Sequence, residues 1–133
     1  MPNSIITATG SYIPALKIPN EHFLAHNFYG ADGKKIDKSN IDLIKKLEEI
    51  TCIQERRYVT DDLTTSDIAF IAAERSLEGT DRETLDYIIV GQNFGDMRAD
   101  NARSDMVPTI AARVKHKLRI KNTYCVAYDV PFG

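Results

Sequence analysis

The side chains that could do chemistry in this 133-residue chain fall into four groups. His22 and His26 stand four residues apart, a spacing at which two imidazoles on one helix face can grip a metal ion. No motif places a third His, Cys or carboxylate beside them, so they read as solvated or partly packed histidines. The run RVKHKLRIK, residues 113–121, carries five Lys or Arg and one His. It could dock an acidic partner, such as a carrier protein, or the phosphates of a nucleotide-bearing substrate. A solvated helix face with Val114, Leu118 and Ile120 turned inward explains it as well. Asp96, Asp100 and Asp105 share a loop with Arg98 and Arg103. Carboxylates so spaced could bind a cation, but the interleaved arginines favour surface pairing, and no metal site is assigned. Neither GxGxxG nor GxxxxGK[ST] occurs, and the two glycines of GQNFG at 91–95 do not make a phosphate cradle.

The fourth group is the two cysteines, Cys52 and Cys125, far apart and in no CxxC pattern. They read as thiols of a reducing compartment rather than a disulfide framework. Cys125 falls inside an apolar strand-like run with no helix N-terminus to lower its pKa, which makes it a buried structural thiol. Cys52 follows a helical segment, and no histidine is placed to activate it. No catalytic, cofactor-binding or metal-ligating residue is therefore assigned within the chain, and no cofactor is expected. The balance of 17 basic against 19 acidic residues, net −2, excludes the basic footprint of a dedicated nucleic-acid binder. No apolar run approaches the roughly 18 residues needed to span a bilayer. The opening MPNSIITATG lacks a basic stretch followed by an apolar one, so no secretory signal is read and a cytoplasmic protein is expected.

The elements that must position these groups follow from periodicity. Residues 4–9 (SIITAT) predict a strand running into a turn at Gly10, and Pro14 and Pro19 then punctuate an extended connection. Asn20 is placed to cap a short helix carrying Phe23 and Leu24. Residues 28–38 read as an exposed loop. Ser39 and Asp42 have capping-box spacing ahead of a helix with Ile41, Ile44 and Leu47 on its apolar face. Residues 53–59 predict an extended segment. Thr64 and Asp67 open a second helix, with Ile68, Ile71, Ala72 and Ala73 inward, that stops at Gly79. Residues 87–91 (YIIVG) and 124–130 (YCVAYDV) are nearly unbroken apolar runs, the pattern of parallel strands covered on both faces. Between them Pro108 takes a first helical position, and Ile110, Val114 and Leu118 repeat at i, i+4, i+8. The order β–α–β–α–β implies right-handed crossovers in one layered α/β unit over residues 1–133. In an open α/β sheet the functional crevice lies beyond the strand C-termini. The sequence stops at Pro131-Phe132-Gly133, the turn after a strand, which suggests a fragment.

Residues 5–14 (IITATGSYIP), 51–57 (TCIQERR), 64–69 (TTSDIA), 86–90 (DYIIV) and 127–130 (AYDV), taken in that order, resemble the N-terminal part of β-ketoacyl-acyl-carrier-protein synthase III, of the thiolase superfamily. Residues 5–14 (IITATGSYIP) resemble the family's opening IxGxGxYxP, and residues 51–57 (TCIQERR) its TGIxERR. Residues 64–69 (TTSDIA) are similar to its TSDLA helix start, residues 86–90 (DYIIV) to its DxIIV strand, and residues 127–130 (AYDV) to the strand leading to its nucleophile.

The resemblance implies a thiolase-like αβαβα architecture, of which this chain is an incomplete N-terminal half with about three parallel strands and covering helices. It implies an acyltransferase that condenses an acyl thioester with malonyl-acyl-carrier protein in fatty acid biosynthesis. Acyl-CoA or acyl-carrier-protein thioesters are then the substrates, and a homodimer forms through the 124–130 strand. The family's nucleophilic cysteine would come immediately after Gly133, and its His and Asn in the C-terminal half, so the piece alone is expected to be inactive and poorly stable or associating. Val107 matches a position where the family often puts Phe against the partner's acyl pocket, which makes it the one substrate-binding residue assigned here. Cys52 stands where the family has Gly. Lys46 and Ile50 stand where it holds the adenine of CoA with Trp and Arg, and the chain contains no Trp, which opens a carrier-bound or other acyl donor beside CoA. Two alternatives remain at this level: another condensing enzyme of the superfamily, or a non-catalytic α/β interaction module using its strand edge and the 113–121 helix.

Overall fold

The computed structural model describes residues 3–101 and 103–132. Two compact units form, one of residues 60–132 with 3–13 and one of Pro14–Val59.

The larger unit is α/β. Helix α2 (Thr65–Ser76) leads to strand β3 (Tyr87–Gln92), and helix α3 (Ile110–Lys117) crosses over to strand β4 (Val126–Pro131). β3 and β4 are parallel, in register from Tyr87↔Val126 to Gln92↔Pro131. The expected i, i+4, i+8 stripe of α3 is the core: Ile110, Val114 and Leu118 are at most 2% exposed, joined by Ile120 and Cys125. Ala69, Phe70, Ala73 and Leu77 pack against it from α2, and Leu85, Ile88 and Val90 from the β3 side. Of the face expected for α2, only Ala73 reaches this core, while Ile68, Ile71 and Ala72 are half-buried. The helix ends at Ser76 with Leu77 as its C-cap, short of the expected stop, and Gly79, left-handed at φ +74°, lies in the turn that follows.

Three expectations change. β3 is not covered on both faces: Ile88 and Val90 face the core, but Tyr87 is 62% and Ile89 55% exposed. The reason is the placing of the helices, since α2 packs on α3 rather than on the sheet's other face. Residues 4–9 form no strand, so among the described residues the parallel sheet has two strands rather than about three. Their β-branched side chains favour extension, but a strand needs a ladder partner and this segment has none. The chain is fastened just after it instead. Gly10 lies so close to α2 that a Cβ there would collide with the Ala72 carbonyl and the Ser76 amide. Arg75 donates to the Ser11 carbonyl at 2.6 Å and its guanidinium lies over Tyr12. Finally, Pro108 lies one residue outside the helix start, because Thr109 is the N-cap and its hydroxyl accepts from the Ala112 amide at 3.1 Å.

In the smaller unit the connection after Pro14 is a strand, β1 (Leu16–Pro19), antiparallel to β2 (Glu55–Tyr58). A 3-10 helix (Asn20–Ala25) and α1 (Asn40–Thr51) complete it. Asn20 does not cap the short helix; it is buried and joins three segments. Its amide nitrogen donates to Glu48 Oε2 at 3.0 Å and to the Ile53 carbonyl at 2.8 Å, and its oxygen accepts from Arg56 at 2.7 Å. Ser39 occupies the N-cap of α1 without a side-chain cap bond, so the capping box is not made. Ile41 is 67% exposed and Leu47 41%, which leaves Ile44 the most sheltered of the expected stripe. Cys52 ends the helix in the left-handed region at φ 54°, the conformation that favours the glycine it replaces in the resemblance. Among the described residues no helix is long and apolar enough to cross a membrane.

Candidate functional site

A crossover helix between parallel strands runs against them, so the N-terminus of α3 returns to the C-terminal ends of β3 and β4. The N-terminus of α2 reaches the same place, because Ser66 in its first turn meets Asp96, four residues past β3. The site is built there, on the loop 93–109.

Asp96 is 5% exposed. Its Oδ1 accepts the Ser66 amide at 2.8 Å, and its Oδ2 accepts the Ser66 hydroxyl at 2.9 Å and Arg113 at 3.1 Å. A carboxylate on first-turn amides also complements the helix dipole. The Arg113 guanidinium continues to Asp105 Oδ2 at 2.8 Å and to the Pro108 carbonyl at 2.9 Å. Beside it, Asp67 accepts from the Thr64 amide and hydroxyl and pairs with Lys117. These groups, with Arg98 and His116, line a cavity of about 370 Å³.

A second carboxylate fixes the strand end. Asp129 of β4 accepts the Ile110 and Ala111 amides at 2.8 Å each, so it binds the first turn of α3 with both oxygens. Gln92 at the end of β3 donates to Asp129 at 3.4 Å, while its backbone carbonyl accepts the Phe132 amide at 3.0 Å. Gln92 Oε1 also accepts the Gly95 amide. Gly95 has φ +72°, and a Cβ there would stand 2.7–2.8 Å from Met106, Asp105 and Ser104 atoms, so only glycine allows this turn.

The site residues read from the sequence fall out as follows. Asp96 is not a surface partner of the neighbouring arginines; it is buried, because its three donors come from α2 and α3. Arg98 and Asp100 do pair on the surface at 3.1 Å. The basic run is no free strip: Arg113 and Lys117 hold carboxylates, and Lys115 donates inward to the Asn122 and Cys125 carbonyls at 2.8 and 2.6 Å. Neither a docking strip nor a solvated face describes these three cations. His116, Arg119 and Lys121 stay exposed. Cys125 is in the core at 2% exposure, as its sequence context requires, and Cys52 is exposed at the end of α1. The rings of His22 and His26 stand 5.3 Å apart in the smaller unit. Val107 is 83% exposed on the loop just before Pro108. Lys46 and Ile50 lie exposed on α1. Sequence reasoning missed Asn20 and Asp129 as organising residues; the one signal for Asp129 was a lone charge in an apolar strand run. The arrangement of paired charges can position a chain turn and shape a crevice.

Arg113 holds the Asp105 carboxyl below its ordinary value of 3.8. For Asp67 burial pushes upward, but the bonds from Lys117 and Thr64 outweigh it and the net shift is also downward from 3.8.

No protein-family model matches the sequence. Solved structures do. The chain superposes on β-ketoacyl-[acyl carrier protein] synthase III from Thermus thermophilus with a TM-score of 0.66 and 27% identity, over 98% of this chain and 34% of that one. It matches 3-oxoacyl-[acyl-carrier-protein] synthase III from Aquifex aeolicus at TM-score 0.65 and 23% identity, over 93% of this chain and 33% of that one. A third match is the priming β-ketosynthase of the R1128 polyketide biosynthetic pathway, at TM-score 0.67 and 21% identity, over 95% and 31%. The chain spans about a third of the length of these structures. Its fold is the mixed α/β, thiolase-like fold of these condensing enzymes, seen over part of their length.

Carboxylates with lowered pKa values stabilise the fold above their unfolded pKa, and that stability is lost as pH falls through the folded one. Melting temperature followed against pH should therefore drop below pH 3.8 through Asp67 and Asp105, and the Asp67→Asn/Asp105→Asn variant should show a shallower drop there.

Proposed function

We propose that residues 1–133 are the N-terminal part of a thiolase-like condensing-enzyme domain of the 3-oxoacyl-[acyl-carrier-protein] synthase III type, ending just before its nucleophile. The observation that carries this reading is the match over 98% of the chain to a synthase III at 27% identity. Five motifs in the family's order support it.

In this reading β4 delivers a cysteine to a helix N-terminus, where the dipole favours the thiolate. The thiolate attacks an acyl-CoA or acyl-carrier-protein thioester, and the donor thiolate leaves. Malonyl-acyl-carrier protein then loses carbon dioxide, and the resulting carbanion attacks the acyl-enzyme carbonyl. The cysteine departs and a 3-oxoacyl thioester forms, with His and Asn of the remaining chain stabilising the enolate and oxyanion. The described residues supply the scaffold for these steps, which is why the 133-residue piece is inactive alone. A homodimer through residues 124–130 in the cytoplasm belongs to the same reading. Two features support that dimer: β4 pairs with β3 on one side alone among the described residues, and Tyr124, Val126 and Tyr128 are exposed. Val107, exposed on its loop, is free to meet a partner's acyl pocket.

The reading frame past the codon for Gly133 should encode a cysteine. The full-length protein, given radiolabelled acetyl-CoA and acyl-carrier-protein thioesters, should take up label that replacing that cysteine by alanine abolishes. A stop codon, or no label from any thioester, would overturn the reading in favour of the interaction module. In the full-length enzyme Val107→Phe should shorten the longest acyl chain accepted; an unchanged chain-length profile would remove Val107 from the site.

A further inference from the structure

Arg113 lies in the basic run, yet its whole guanidinium is turned back onto the loop that carries Val107. It makes contacts of three kinds. NH1 reaches Asp96 Oδ2 at 3.1 Å, NH2 reaches Asp105 Oδ2 at 2.8 Å, and Nε donates to the Pro108 carbonyl at 2.9 Å. The other Asp105 oxygen accepts the Val107 amide at 3.3 Å. One planar side chain thus holds the residue on each side of Met106-Val107. Its third contact, Asp96, is itself buried and fastened to Ser66 at the start of α2. The Arg113 side chain is 23% exposed and that of Asp96 6%, so this anchor is shielded from the screening that weakens surface pairs. Asp105 is 54% exposed, and the bond from Arg113 still holds its carboxyl below the usual carboxylate value.

We propose that Arg113 is a positioning residue that fixes the 105–108 turn and, by holding Val107 in place, sets the acyl-chain selectivity of the enzyme. This rests on the reading of Val107 as a residue facing the acyl chain. Arg113 touches no substrate in this account and acts through Asp105 and Pro108. The role needs the forked geometry of arginine, because the point charge of a lysine cannot hold a carboxylate, a second carboxylate and a carbonyl at once.

The test uses the full-length enzyme and a series of thioesters from acetyl to octanoyl. A methylene in an apolar pocket is worth about 10-fold or more in kcat/KM, so a loosened Val107 should be visible in the chain-length profile. Arg113→Gln, Arg113→Lys and Asp105→Asn should each flatten the ratio of kcat/KM between the best and the longest acyl chain by about tenfold. Asp105→Asn keeps the test open if the Arg113 variants do not fold, because that carboxylate is on the surface. A lowered melting temperature with an unchanged ratio would make Arg113 merely structural and overturn the proposal, as would wild-type selectivity in Arg113→Lys. Val107→Phe serves as the control. If it shifts the profile and the Arg113 and Asp105 variants do not, the positioning role alone falls; if it shifts nothing, the reading of Val107 falls and the proposal with it.

Discussion

A carboxylate taken out of water is costly unless donors replace the solvent, and Asp96 is one. Its two oxygens require the Ser66 amide, the Ser66 hydroxyl and Arg113 together. Those donors belong to the first turns of α2 and α3, so satisfying one side chain brings two helix N-termini to the same point past β3. Removing one partner of such a buried pair typically costs about 3–5 kcal/mol, because the remaining charge is left uncompensated. The loop 93–109, the cavity beside it and the placing of Val107 all follow from this constraint.

Asp129 repeats the device on the next strand. Its carboxylate spends both oxygens on the start of α3, which ties the end of β4 to the helix that crosses over it. Gln92 joins the two strand ends to each other and to the loop. The consequence is a rigid edge at the place where an open parallel sheet presents its crevice. Of the two thiols, one lies in the core and one at the end of α1.

Local signals written in the sequence survived into the structure where short-range physics decides them. The α3 stripe of Ile110, Val114 and Leu118 and the Thr64–Asp67 start of α2 are of this kind. So are the two parallel strands, placed within a residue or two. What failed depended on partners far away in sequence. Residues 4–9 have the composition of a strand but no ladder to join, and Ile41 and Leu47 keep helical spacing with little to pack against. Asp96, Arg113 and Lys117 looked like ordinary surface charges because the side chains they pair with lie between 8 and 50 residues away. Asn20 looked like a cap for the same reason, its real partners being Glu48, Ile53 and Arg56. The five ordered motifs carried the fold further than periodicity did, and the matches to solved condensing enzymes agree with them.

The Asp96 carboxylate holds the strand-end loop in place. Amide hydrogen exchange in the wild-type protein and in Asp96→Asn tests it most directly, since an asparagine there would aim an N–H₂ at donors. Exchange should be faster across residues 93–106 and at Ser66, with the amides of β3 and β4 keeping their protection. Unchanged exchange in the loop would contradict it, because the loop would then be held by something other than this carboxylate.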